Sequence, residues 1–131
     1  MAFSIPIDVR FRDIDALEHV NHGAFVDYLE YARFHWWREY LKDRPFEEDG
    51  FQIARLEIDY RKPIHIGDKV RVDLRCDRIG TSSFTLVYKV VREADGVVLA
   101  EAQTLQAFID FKSHRPKPIR PETLTWLRSQ A

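Results

Sequence analysis

The sequence predicts a single α+β domain, residues 1–131, in which a curved antiparallel sheet of about five strands wraps one long helix. Three observations predict this fold class: stretches of two-residue alternation, one long stretch with a helical period, and short turns rich in Gly and Asp. Strict alternation is typical of strands with one buried and one wet face, which favours an antiparallel sheet. No linker, repeat or low-complexity tract is long enough to divide the chain.

Apolar residues alternate with polar ones in five stretches, and each predicts a strand. These stretches are Ile5 to Phe11, Ala54 to Tyr60, Val70 to Cys76, Phe84 to Val90, and about Val97 to Phe111. The intervening segments "HIGDK", "RIGTSS" and "EADGVV" have the composition of tight turns. The last four strands are therefore expected to form a meander of hairpins.

One segment, from about His22 to Leu41, predicts a long helix. Its apolar positions recur in three- and four-residue steps, and further aromatic residues widen the apolar surface over most of the circumference. Twenty residues of helix span about 30 Å, comparable to a ten-residue strand, so a sheet can cover the whole helix. Trp36 and Trp37 are adjacent and cannot share one face, so one of them is expected to reach a subunit interface. The C-terminal "RPKPIRPETLTWLRSQ" predicts a proline-rich exit and one terminal turn of helix.

Composition and charge exclude several function classes. Lys and Arg total 20 against 21 for Asp and Glu, so the formal charge is -1 and no basic field favours nucleic acid or an anionic membrane. A single cysteine, Cys76, excludes an internal disulfide and suits a reducing compartment. Neither a signal-peptide pattern nor an apolar run of membrane-spanning length occurs in the sequence, which predicts a cytoplasmic protein.

The densest group of chemically active residues is "RFRDIDALEHVNHGAF", residues 10–25. Imidazole and carboxylate groups are reasonable zinc ligands, but His19 and His22 straddle the expected helix start and match no ligand spacing. The other histidines, His35, His65 and His114, have no companions in the sequence. Neither a metal site nor a cofactor is predicted.

The element order and four segments resemble a known family. The segments are "RFRDIDALEHVNHGAFVDYLEYAR", "EIDYRKPIHIGDKVRV", "RIGTSSFTLVYKV" and "IDFKSHRPKPI". Together they resemble the hotdog-fold acyl-CoA thioesterases, in particular the 4-hydroxybenzoyl-CoA thioesterase type. The resemblance implies a hotdog fold and hydrolysis of an acyl-CoA thioester, or of an acyl carrier protein thioester, to the free acid.

In that family the second aspartate of a D-x-D pattern is the catalytic carboxylate, which falls here on Asp15. Its role stays open between a nucleophile that forms a mixed anhydride and a general base toward water. His19 either orients Asp15 or is structural. Plant acyl-carrier-protein thioesterases have a related "D-x-N-x-H-V-N-N" run, but Leu17 stands here in place of its catalytic Asn.

The expected helix start supplies the hydrogen-bond donors that thioester hydrolysis needs to stabilise the oxyanion. A helix N-terminus has unpaired N–H groups and partial positive charge, so amides around His22 and Gly23 can hold the oxyanion. Asp13 is expected to be structural. Asn21 is expected to cap the helix, and it leaves the Gly23 amide free only if the cap bonds a different N–H.

Substrate contacts are predicted at Asn21, Phe25 and the end of the second strand. Glu57 and Asp59, with Tyr60, are expected to contribute from a second subunit, and Glu57 is the reserve catalytic carboxylate. An unpaired sheet edge and the resemblance both predict a homodimer or homotetramer. Cationic side chains must meet the phosphates of coenzyme A, and the candidates are Arg55, Arg61, Lys62, Arg115, Lys117 and Arg120.

Two other functions stay open at this point. A hotdog hydratase or dehydratase would use His19 with an acidic group to add or remove water. A hotdog dimer without catalytic activity would only bind acyl groups.

Overall fold

A computed structural model describes residues 3–46 and 50–131 of the chain. The elements are strand β1 (Phe3–Ile7), helix α1 (His22–Leu41), four further strands and a C-terminal helix α2 (Pro121–Arg128), with a 3₁₀ turn at Phe11–Asp13 before α1. The further strands are β2 (Phe51–Tyr60), β3 (Val70–Ile79), β4 (Ser83–Arg92) and β5 (Val98–Phe108). No helix among the described residues is long and apolar enough to cross a membrane.

The five strands form one antiparallel sheet in the order β1-β3-β4-β5-β2. The α+β class, the helix from His22 to Leu41 and the hairpins joining β3, β4 and β5 are confirmed. The four-strand meander is wrong, because β2 pairs with β5 at the edge of the sheet rather than with β3.

The segment between β2 and β3, which contains "HIGDK", is therefore a crossover and not a hairpin. The backbone N–H groups of Arg61 and Lys62 both bond the carbonyl of Leu99 on β5. The carbonyl of Ile64 then accepts from Val20 N–H at 2.8 Å, which ties the crossover to the chain just before α1. Local turn residues occur in crossovers as well as in hairpins, so "HIGDK" by itself does not distinguish the two.

The first strand is shorter than expected. It ends at Ile7. Phe11 was expected on the apolar face of this strand, but it lies in the 3₁₀ turn with 84% of its surface exposed. The last strand likewise ends at Phe108 rather than Phe111. The terminal helix is longer than the single turn expected, with eight residues starting at Pro121. Proline is well suited to the first helical position, which accounts for the start of the helix at this residue.

The hydrophobic core lies between α1 and the sheet, and it buries both adjacent tryptophans. Trp36 is 0% and Trp37 is 1% exposed. Helix α2 covers Trp36, because the ring of Trp126 packs 4.8 Å from the Trp36 ring. The Nε1 of Trp36 donates to Gln130 Oε1, just beyond α2, at 3.0 Å. The expectation that one tryptophan reaches a subunit interface is wrong, since α2 covers the side that α1 alone would expose.

Candidate functional site

The loop before α1 is closed by a single β-bridge between Ile14 and Val20. Inside it, Asp15 N–H bonds the carbonyl of His19 at 2.8 Å. The Asp15 side chain is exposed, and its Oδ1 accepts from the N–H groups of Leu17 at 2.8 Å and His19 at 3.3 Å. These bonds orient the carboxylate, and Oδ2 accepts no hydrogen bond from the residues described.

Asp13, two residues earlier, has a structural role, as predicted. It is only 3% exposed, and its carboxylate accepts from Arg10 Nη2 at 2.9 Å and from the Tyr28 hydroxyl at 2.7 Å. Burial acts to raise the pKa of Asp13, but the hydrogen bonds from Arg10 and Tyr28 outweigh it and lower that pKa below its ordinary value. The two aspartates of the D-x-D pattern therefore have opposite environments.

Helix α1 begins with the cap predicted at Asn21. Its Oδ1 accepts from Ala24 N–H at 2.9 Å, and its Nδ2 donates to the Asp13 carbonyl at 2.9 Å. The cap thus takes the third amide of the helix and leaves the first two, those of His22 and Gly23, without an acceptor in residues 3–46 and 50–131. The cap at Asn21 therefore does not use the Gly23 amide, because it bonds the amide of Ala24 instead.

Gly23 is exposed in the first turn of α1, where the absence of a side chain leaves its N–H open to close approach. A Cβ at this position would lie 3.2 Å from Asn21 Oδ1. The exposed helix end therefore offers two donors and the partial positive charge of the helix dipole.

His19 has a partner that the sequence did not indicate. The rings of His19 and His65 meet edge to face with centroids 4.9 Å apart, and the two residues form a β-bridge. His65 N–H bonds Asp68 Oδ2 at 2.9 Å, which holds the crossover loop in place. The interpretation that His65 has no companion is wrong, because the crossover brings two distant segments together.

Tyr60, at the end of β2, also joins this region within the same chain. Its hydroxyl donates to the His22 carbonyl at 3.1 Å, and its ring packs 4.6 Å from His22 and 5.0 Å from the buried Phe25. Burial raises the pKa of Tyr60. Tyr60 was expected to act from a second subunit, whereas in this chain it supports the helix start directly.

The remaining predicted contacts lie on the outward face of the sheet. Glu57 accepts from Gln103 Nε2 at 2.6 Å and pairs with Arg55, and Arg61 pairs with Glu101 at 3.0 Å. Asp59 is 3.8 Å from the Arg61 guanidinium. Successive side chains of a strand point to opposite faces of the sheet. Tyr60 points to the face that contacts the start of α1, so Glu57 and Asp59 point to the other face and do not reach the loop of Asp15 within one chain.

Several of the cations considered for phosphate binding already have carboxylate partners: Arg55, Arg61 and Arg120, the last through Glu122 at 3.0 Å. Lys62, Arg115 and Lys117 form no ion pair with the residues that the structure describes. Among the described residues, no group of three or more His, Cys, Asp or Glu side chains is arranged to hold a metal ion.

Comparison with known proteins adds an independent line of evidence. Residues 9–127 match the model of the thioesterase-like superfamily. The 1,4-dihydroxy-2-naphthoyl-CoA hydrolase of Nostoc punctiforme is 29% identical over 98% of this chain and 88% of its own length. The long-chain acyl-CoA thioesterase FadM of Escherichia coli is 25% identical over 88% of this chain and 89% of its own.

A solved structure gives the same result. The thioesterase from Thermus thermophilus, complexed with coenzyme A and Zn, superposes with a TM-score of 0.82 at 31% identity, covering 97% of this chain and 92% of that one. The resemblance to hotdog thioesterases is confirmed at the level of the superfamily, and the predicted class of thioester hydrolase is the class of these relatives. Because the family model matches residues 9–127 and the fold superposes on a solved thioesterase, the chain belongs to the thioesterase-like superfamily.

Proposed function

We propose that this chain hydrolyses acyl-CoA thioesters to the free acid and coenzyme A, with Asp15 as the catalytic carboxylate. The observation that carries the proposal is the pair of unengaged amides, of His22 and Gly23, at the exposed start of α1. They lie in a chain whose relatives bear the names of acyl-CoA hydrolases.

The two amides are suited to the oxygen of a thioester. Negative charge develops on that oxygen when the carbonyl is attacked, and preorganised backbone donors stabilise it. Donors at a helix N-terminus add the field of the helix dipole. Asn21 holds this end of α1 rigid without using either donor, so the donors need no rearrangement when the substrate arrives.

Asp15 is suited to the attack itself. Its Oδ1 is held by two backbone N–H groups, so its Oδ2 has a defined position at the surface of the loop. The Ile14–Val20 bridge and the bonds between Asn21 and Asp13 connect that loop to the start of α1. The hydrogen bonds that shape the turn therefore also orient the carboxylate for catalysis.

Two routes are compatible with this arrangement. As a general base, Asp15 takes a proton from water, the resulting hydroxide attacks the carbonyl carbon, and the C–S bond breaks to release the coenzyme A thiolate, which is then protonated. As a nucleophile, Asp15 attacks the carbonyl carbon itself, coenzyme A leaves, and water hydrolyses the mixed anhydride.

The test is thiol release from a panel of acyl-CoAs that includes 4-hydroxybenzoyl-CoA, which represents the narrower resemblance, and matching acyl carrier protein thioesters. Asp15→Asn is compared with Asp43→Asn, a matched change of an exposed aspartate beyond the opposite end of α1. We expect Asp15→Asn to lower kcat by about 100-fold or more, and Asp43→Asn to leave it unchanged. Equal rates for wild type and Asp15→Asn refute the mechanism.

The same panel separates the two other candidate functions. Turnover of an enoyl-CoA without thiol release indicates a hydratase that uses His19. Tight binding of acyl-CoA without any turnover indicates an acyl-binding protein. Either result replaces hydrolysis as the function.

We also propose that the active form is a homodimer joined through β2. This strand is ten residues long, lies at the edge of the sheet, and is exposed along most of its length. Ile53, Leu56 and Tyr60 are each 40% exposed on it. A long edge with apolar side chains favours pairing with another strand, and a second copy of β2 is self-complementary about a two-fold axis.

A further inference from the structure

The side of α1 that points away from the sheet carries an exposed aromatic cluster. Tyr31 and Phe34 are 48% and 47% exposed there. The ring of His35 packs against both, with its centroid 4.4 Å from that of Tyr31 and 5.2 Å from that of Phe34. Exposed apolar surface concentrated on one helix face is typical of an interaction site. Neither the proposed chemistry nor the β2 edge uses this cluster.

A groove opens on each side of Phe34. One groove, of about 530 Å³, lies toward β1 and has Ile7 and Tyr28 in its wall. The other, of about 410 Å³, lies toward the start of β2, and its wall includes Arg33, Trp37, Phe46 and Phe51. Glu30 and Phe34 line both grooves and therefore form a ridge between them. Helices pack on one another by fitting such ridges into the grooves of a neighbour.

Charges of opposite sign lie on the two sides of the aromatic cluster. Steps of three and four residues along α1 define one outward face, whose residues are Asp27, Glu30, Tyr31, Phe34 and Arg38. The acidic residues of this outward face are on its N-terminal side and the arginine is on its C-terminal side. Asp27 and Glu30 are exposed, and neither forms an ion pair or a hydrogen bond with the residues that the structure describes.

Arg38 is held in a fixed position on the outward face. Its Nη1 donates to the carbonyls of Lys42 at 2.8 Å and Arg44 at 3.0 Å. Its guanidinium lies 4.1 Å from the centroid of the Phe46 ring. No carboxylate in residues 3–46 and 50–131 pairs with Arg38, so a preorganised cation is left for an acidic group from outside the chain.

The outward face is complementary to a second copy of itself. Consider two α1 helices that pack antiparallel about a two-fold axis near the middle of the helix, between Ala32 and Arg33. Every contact then occurs twice, and the helix dipoles oppose each other favourably. The residues that lie opposite each other in the two copies are Tyr31 and Phe34, Asp27 and Arg38, and Glu30 and His35.

We propose that the outward face of α1 binds a second copy of this chain in this antiparallel helix pair. A second copy is the occupant because its own outward face supplies an aromatic centre and the opposite charge at each end. The outward face is separate from the β2 edge, so both contacts form together and join two β2-paired dimers into a tetramer. The N–H groups at the start of α1 point along the helix axis, so the amides of His22 and Gly23 stay open when the outward face is covered.

The test is sedimentation equilibrium over a range of concentrations, which gives the mass and the dissociation constant of the assembly. We expect wild type to reach four times the 15.5 kDa of one chain. Asp27→Arg places like charges opposite each other twice, and we expect it to halve the mass, with a dissociation constant raised about tenfold or more. The matched control is Glu39→Arg, an exposed change of the same charge about 120° around α1 from Asp27.

Arg38→Asp in the Asp27→Arg background reverses both charges and is expected to restore the wild-type mass. Because Arg38 also bonds the carbonyls at the end of α1, thermal unfolding first establishes that this double variant is folded. A salt series gives a second measurement that does not need it. Raising NaCl from about 0.05 M to 1 M should weaken the association of wild type and strengthen that of Asp27→Arg, since screening removes an attraction in one and a repulsion in the other.

Four outcomes overturn the inference. They are a wild type that is monomeric at every concentration, an unchanged dissociation constant in Asp27→Arg, an equal change in Glu39→Arg, and a folded double variant that does not regain the wild-type mass. A salt effect of the same sign in wild type and Asp27→Arg also overturns it. None of these measurements depends on thiol release, so they leave the proposed hydrolysis to its own test.

Discussion

The Tyr28 hydroxyl donates a 2.7 Å hydrogen bond to the buried carboxylate of Asp13. This bond joins the first turns of α1 to the chain that precedes it, and Arg10 completes the network from the other side. Asp15, two residues later, is exposed and has one oxygen without a partner in the structure described. The D-x-D pattern thus consists of one buried aspartate that ties α1 to the preceding chain and one exposed aspartate whose Oδ2 accepts no hydrogen bond from the described residues.

Asp13→Asn is expected to lower the free energy of unfolding by about 1–3 kcal/mol, because it weakens a buried charged acceptor. The pKa of Asp13 is below its ordinary value of 3.8 in the folded protein. Its contribution is therefore complete above about pH 5 and is lost as the pH falls below about 4. Urea unfolding of both proteins between pH 3 and 7 measures this. A difference that does not shrink in acid contradicts the assignment.

Asn21→Ala is expected to destabilise the protein by about 1 kcal/mol, because the Ala24 amide loses its cap. Asn21→Ser retains a capping oxygen and is expected to recover most of that loss. Chemical denaturation measures both variants. If Asn21→Ala is as stable as wild type, the cap contributes nothing to stability.

Gly23→Pro tests the backbone donor directly, because proline lacks the N–H group and is tolerated in the first turn of a helix. We expect kcat to fall about 100-fold with little change in unfolding temperature. Gly23→Ala is the matched control, since it keeps the N–H and adds the same Cβ contact with Asn21. Equal losses in both variants would assign the effect to that contact and not to the missing donor.

Cys76 is expected to react very slowly with thiol reagents in the native protein. It is buried, and burial raises the pKa of its thiol to about 11. At pH 8 only roughly one molecule in a thousand then carries a thiolate. Labelling with a chromogenic disulfide should be negligible before unfolding and complete in denaturant, so Cys76 does not disturb assays of released coenzyme A. Fast native labelling contradicts this burial.

Leu56→Lys places a charge in the middle of the exposed β2 edge. In analytical ultracentrifugation we expect the wild-type protein to have a mass of at least twice the 15.5 kDa of one chain. We expect the variant to shift toward the mass of the monomer. Lys89→Leu, on the interior strand β4, provides a control away from the edge. A wild type that is monomeric at all concentrations would exclude the dimer through β2.

The sequence alone determined the approximate positions of the long helix and of the strands, although the ends of β1 and β5 and the length of α2 differ from the prediction. Periodicity located α1 from His22 to Leu41, and the residue type at Asn21 predicted its cap. Alternation located the strands, because the side-chain period of a strand or helix is a local property of the backbone. The resemblance singled out Asp15 in the same way, from a short local motif.

Only the tertiary structure decided which elements are neighbours. It placed β2 beside β5, His65 beside His19, and α2 over Trp36. It also brought Trp37 and Arg33 to one groove. A periodic pattern shows which face of an element is buried but not what covers that face. Contacts between segments far apart in the chain depend on the path of the whole backbone.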